Sequence, residues 1–237
     1  MIKLVLFSLL PLTLTARGAV VISEILFNEV GSDTTGEWIE IYNNGAVLVD
    51  LTDWKIGDEE QSGGTGDTEG MFRFPSGSSI GPGEVQVVAI SANRFNTVYG
   101  FLPTYEIGTG GDHPTVPNLT VYAPWDPETS ITNTINLANT NDQILLLDPV
   151  DALIDAANWG TSTTFFDPGM GTALDGQSYY RIDPTTDTDT AADWAASPET
   201  GVAATRSTPG VIPEPSSAGL LGLLGMIALS RRHRSLL

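Results

Sequence analysis

The sequence predicts an all-β fold, on three observations. Gly, Pro, Thr, Asn and Asp are abundant, so the chain is rich in turn formers. Apolar residues recur with period two in short runs bounded by those turns. No stretch of the body keeps a long helical period. There is no cysteine, so stability must come from burial alone, and a body of this size can bury enough surface for that.

The elements follow in chain order. Val20 to Phe27 reads as a first strand. Glu37 to Tyr42 alternates, with Ile39 and Ile41 on one face and Trp38, Glu40 and Tyr42 on the other. Asn43-Asn44-Gly45 makes a turn into a strand over Val47 to Ile56. Residues 57–70 form a polar, Gly-rich loop before a short strand, Met71 to Pro75. Ile80 to Glu84 is a turn that feeds Val85 to Ile90. Ser91 is placed to cap one or two helical turns carrying Phe95, Val98 and Tyr99, which Gly100 ends. Residues 101–140 read as a Pro/Gly-rich insertion over one end of the fold, with a strand at 118–122. Strands resume at Gln143 to Asp148, Ala152 to Trp159 and Gln177 to Ile182, and the body closes through Trp194 and Ser207-Thr208-Pro209-Gly210.

Both ends read as addresses. Lys3, the apolar run Leu4 to Leu14 and the small residues Ala16 to Ala19 have the layout of a secretory signal peptide over 1–19, with cleavage after Ala16, Gly18 or Ala19. At the other end, residues 216–230 carry no charge and Arg231, Arg232 and Arg234 follow as a basic stop. Fifteen helical residues reach roughly 22 Å, enough for a single membrane helix in a thinned bilayer with snorkelling arginines. A buried C-terminal core helix is the alternative. Pro213-Glu214-Pro215, the apolar segment and the basic end together resemble the PEP-CTERM sorting signal over 213–237. That resemblance implies a bacterial protein whose tail is recognised and processed near Pro213, Glu214 and Pro215 by an exosortase.

The region between, about 20–212, resembles the lamin tail domain. Val21 to Ile25, Glu37 to Asn43, Asp50 to Trp54 and the turn Pro82-Gly83-Glu84 fit that family's pattern. Asp142-Gln143-Ile144, Ile154-Asp155, Ser178 to Arg181 and Thr208-Pro209-Gly210 follow in order. The resemblance implies an immunoglobulin-like β-sandwich.

Charge and inventory bound the chemistry. Residues 20–212 hold 28 acidic against five basic residues, a balance of −23. Such a surface repels nucleic acid, which leaves no nucleic-acid partner, and it attracts divalent cations. The exported part has one histidine, His113, in a Gly/Pro-rich loop with no nucleophile motif nearby, so a Ser-His-Asp triad is disfavoured. Zinc chemistry lacks its N and S ligands. Calcium suits clustered carboxylates, and two groups offer them. One is Asp58, Glu59 and Glu60 with Asp67 and Glu69; the other is Asp187 and Asp189 with Asp183 and Asp193. Neither has EF-hand spacing. The plainer reading of both is a solvated loop. Glu24, Glu37 and Glu40 are expected to accept hydrogen bonds at a corner of the fold, because a buried carboxylate without donors costs several kcal/mol. The five tryptophans read as core, with Trp125 the most exposed.

These readings lead to an expectation of an exported, non-catalytic surface or matrix protein with no cofactor. Its partners would be an exosortase, the membrane before processing, and extracellular polysaccharide. A calcium- or carbohydrate-binding module is the alternative.

Overall fold

The computed structural model describes residues 20–31, 35–63, 69–107, 113–125, 135–198 and 207–212. The expected signal peptide and the whole 213–237 tail, including Pro213, Glu214, Pro215, Arg231, Arg232 and Arg234, lie outside the described residues. Among the described residues no helix is long and apolar enough to cross a membrane.

Thirteen strands, one α-helix and a short 3-10 turn (Ala191–Asp193) are described. They are β1 (Val20–Leu26), β2 (Trp38–Asn43), β3 (Val49–Asp50), β4 (Lys55–Gly57), β5 (Met71–Arg73), β6 (Ser79–Ile80) and β7 (Val85–Ala89), then α1 (Ala92–Tyr99). After the helix come β8 (Tyr105–Glu106), β9 (Thr120–Val121), β10 (Asn141–Leu147), β11 (Leu153–Gly160), β12 (Tyr179–Arg181) and β13 (Trp194–Ala196). One sheet runs β13-β12-β1-β2-β7-β8 and a second runs β11-β10-β4-β5-β9; β3 and β6 form a small ladder of their own. Neighbours are antiparallel except β7 and β8.

The period-two patterns place the core. Ile22, Ile25, Ile39, Ile41 and Val88 face Ile56, Phe72, Ile144, Leu146 and Trp159 across the two sheets. Trp159 stacks on Phe27 at 4.4 Å and 8°. The run Ile144 to Leu147 is apolar throughout because β10 is covered on both sides. Leu146 joins the central core, while Leu145 and Leu147 join an outer cluster with Met71 and, partly buried, Trp125. On the outer face of the six-stranded sheet, Leu26, Trp38, Val87 and Ala89 meet Phe95 of α1. The helix forms as its caps require: Ser91 Oγ accepts from the Arg94 amide at 3.3 Å, and Gly100 adopts φ +80° at the C-terminal end.

Two expectations are corrected. The single strand over Val47 to Ile56 is two strands in different sheets. Leu51 to Trp54 forms a tight turn in which Asp53 takes φ +63° and the Trp54 amide bonds to the Leu51 carbonyl, so β3 and β4 diverge. The 101–140 insertion does more than lie over one end. It supplies β8 to the edge of one sheet and β9 to the edge of the other, and the backbone bridges Glu106 to Asn118 between them. Trp125 is the most exposed of the five tryptophans, as expected; it is half-buried, its Nε1 donating to the Glu59 carbonyl at 3.1 Å.

Candidate functional site

Acidic side chains in strands and turns do a common job in this molecule. Glu24, Glu29, Glu37, Glu40, Asp58, Glu106, Asp142 and Asp155 are all buried. Each accepts a backbone N–H, and for Glu24, Glu37, Glu40 and Asp58 the donor belongs to a loop far along the chain. Glu29 takes the Thr35 and Gly36 amides, Glu37 the Leu137 amide, and Glu106 the Ala92 and His113 amides. A loop amide left without a partner in the interior would itself cost free energy, so a carboxylate beside it satisfies both groups. The reading of Glu24, Glu37 and Glu40 as hydrogen-bond acceptors therefore matches their geometry.

The acids converge at one end of β4 and β10. Asp58 follows β4 and is wholly buried; its carboxylate accepts from the Gly70 and Asn136 amides. Beside it, carboxylate oxygens of Glu59, Glu60 and Glu69 lie within 4.8 Å of one another. Gln143, on β10, donates from Nε2 to the Asp58 carbonyl at 2.9 Å, to Glu69 at 3.3 Å and to Glu60 at 3.5 Å. Asp142 accepts from the Ala138 and Gln143 amides. Burial pushes the Asp142 carboxyl up to about 7. Burial, then the neighbouring Asp142, holds Asp58 well above the ordinary range. Burial, a hydrogen bond with Glu60 and the nearby acids raise Glu69. At neutral pH this end of the sandwich therefore retains protons, and a hard cation bound there would compete with them. Asp67 lies outside the described residues.

The second acidic group is organised around an arginine. Arg181 is wholly buried and forks onto Asp155 at 2.7 and 2.8 Å, while its Nε donates to the Ile22 carbonyl. Its other nitrogen meets Asp187 at 3.1 Å and Asp193 at 3.7 Å, and Trp194 lies against the guanidinium at 4.7 Å. Asp187 is thus an arginine partner. Asp189 lies on the exposed loop at φ +52°, its amide donating to Asp187, and Asp183 accepts from Thr185 and Thr186. Burial pushes Asp155 up to about 6 against the pull of Arg181, so it is ionised at neutral pH.

Sequence reading missed Asp142 and Gln143 as members of the first cluster, and Glu29 and Glu106 as buried acceptors. A polar pair opening an apolar strand was the available signal at 142–143. Glu29 and Glu106 had none, because each is satisfied by how the loop beside it folds back onto it.

Sheet order, helix position and acid placement can now be set beside known proteins. The family model of the Lamin Tail Domain matches residues 13–161. The chain belongs to the lamin tail domain family. The match ends at the close of β11; beyond it β12 pairs with β1 and β13 with β12, completing the six-stranded sheet. A crystal structure of a DUF4876 family protein from Bacteroides thetaiotaomicron is similar with a TM-score of 0.56 at 13% identity, covering 85% of this chain and 74% of that one. At that identity the likeness speaks to fold alone. No curated protein matches the chain.

Proposed function

We propose that this lamin-tail sandwich is an exported, non-catalytic structural or adhesive component of the cell surface or its extracellular polysaccharide, delivered by an exosortase through residues 213–237. The observation that carries the reading is how the described body ends. Residues 207–212 return to the sandwich and are bonded to Glu24 and Glu40, one residue before Pro213-Glu214-Pro215. In the sequence the motif follows that tied-down segment directly, with the apolar segment and arginines after it. The buried acids support the absence of catalysis, since they are engaged by loop amides. His113 has its Nδ1 beside Thr115 Oγ1 at 3.1 Å, on the exposed surface. In this reading the tail holds the chain in the membrane until processing. Replacing Glu214 or deleting 213–237 should change the mass of the mature chain and where it fractionates; unaltered processing refutes the sorting role.

The convergence of Glu59, Glu60 and Glu69 favours a second reading, a calcium-binding module. Calcium should then raise the melting temperature more at pH 8 than at pH 5, because protons compete for the same oxygens. Glu60→Gln should abolish the difference. Equal shifts in wild type and variant, or no heat in calorimetry, would remove calcium from consideration.

A further inference from the structure

Two carboxylates stand side by side on the outer face of the six-stranded sheet. Glu24 in β1 and Glu40 in β2 are register partners across the ladder, each only 1% exposed. Among the described residues neither forms an ion pair with Lys, Arg or His. Their donors come from one segment and two hydroxyls. Thr208 gives its amide to Glu24 Oε1 at 2.9 Å and its hydroxyl to Oε2 at 3.0 Å, and Ser178 Oγ also donates to Glu24. Gly210 gives its amide to Glu40 Oε2 at 2.6 Å, and Ser23 Oγ lies 2.7 Å from Glu40 Oε1.

The segment making these contacts, residues 207–212, carries no charge. Ser207 and Pro209 are buried, while Thr208, Gly210 and Val211 face water. Ser207 Oγ meets Tyr99 Oη at 2.7 Å, and the Phe101 ring lies beside Gly210. Among the described residues the remaining titratable neighbours are Tyr99, which also accepts from Trp38 Nε1, and Tyr180, opposite Glu24 in β12. Arg94 on α1 is turned to Glu29.

We infer that residues 207–212 are a strap latched by the Glu24–Glu40 pair, docked while the pair shares a proton and released when both acids ionise. A proton on Glu40 leaves Oε2 free to accept from Gly210. Two adjacent anions without a cation would repel in a region shielded from water. Lifting the strap admits water to both, at the expense of four hydrogen bonds, the Ser207–Tyr99 contact included. Burial and then the charge of Glu24 push Glu40 up to about 8, which sets the range in which the latch opens. Six released residues would add about 20 Å of reach to whatever follows them. That consequence for the tail rests on the sorting role proposed above; the latch itself does not.

Hydrogen exchange across pH 6 to 10 on the full-length chain tests it, with rates corrected for intrinsic exchange. Protection at Thr208 and Gly210 should fall roughly tenfold per pH unit above a midpoint near about 8, while Ile41 and Val88 keep theirs. Glu40→Gln, neutral at every pH, should keep the strap protected throughout. Ser23→Ala, which removes a donor that favours ionised Glu40, should move the midpoint upward and serves if Glu40→Gln does not fold. Strap protection that stays flat, that falls together with Ile41 and Val88, or that falls alike in wild type and Glu40→Gln overturns the latch; so does an unmoved midpoint in Ser23→Ala. Exchange at 208 and 210 is read whether or not 213–215 is processed, so the latch and the sorting role fail separately.

Discussion

Arg181 shows how one residue can organise a corner. β1 has a bulge between Ile22 and Glu24, and β12 pairs only from Glu24 onward, so the backbone of Ile22 lacks a strand partner on that side. Arg181 supplies a donor to the Ile22 carbonyl and Asp155 an acceptor for its amide at 2.7 Å. The ion pair thus stands in for a missing stretch of ladder. Removing the guanidinium would leave Asp155, Asp187 and Asp193 facing one another. Arg181→Met should cost about 3–5 kcal/mol in urea unfolding at pH 7. The loss should shrink at pH 4, where Asp155 takes a proton. An equal loss at both values would mean that packing against Trp194, and not charge, is what Arg181 provides. The lamin-tail pattern marked both Asp155 and Arg181, but nothing in the one-dimensional pattern paired them, because they lie 26 residues apart.

At the scale of elements, the turn at Leu51 to Trp54 decides that consecutive residues serve different sheets. Alternation predicted strand on both sides of it and was right on both sides. It failed at the break, because Asp53 in the left-handed region is a conformation that an apolar pattern does not encode. The outcome expected for Asp53→Gly is little change or a gain of a few tenths of a kcal/mol, the exposed contact with Arg73 being worth little. Asp53→Val should cost about 1–2 kcal/mol by thermal unfolding, since a β-branched residue tolerates positive φ poorly. A harmless Val would show that the turn is not held in this conformation. The helix was fully legible in the sequence, because its start and stop are local: Ser91 for the cap, Phe95 for the buried face, Gly100 for the positive φ.

For the whole molecule, the buried acids set an unusual pH response. Glu24, Glu40, Asp58, Glu69, Asp142 and Asp155 are all held above their ordinary carboxylate values, burial being the first cause for each. The folded chain therefore binds more protons than the unfolded one between about pH 4 and pH 8. Linkage fixes the sign: stability from these groups is complete below the unfolded values and is lost as pH rises through the folded ones. The melting temperature should be highest near pH 4–5 and fall toward pH 8. Surface repulsion from the −23 body acts in the same direction, but salt near 1 M screens it to about 3 Å while leaving buried groups little affected. The decline should therefore persist in high salt; its disappearance there would assign it to the surface. The sequence by itself determined the all-β class, the lamin-tail pattern, the strand faces and the helix, because these depend on side-chain alternation and on caps within a few residues of one another. Only the tertiary structure decided which acids are buried, that Asp187 belongs to Arg181, that the insertion extends both sheets, and that residues 207–212 close over Glu24 and Glu40. The contacts of Glu24, Glu37 and Glu40 turn on donors a hundred residues or more away, and elsewhere the partner depends on how a loop folds back, so a carboxylate's partner cannot be read from its neighbours in the chain.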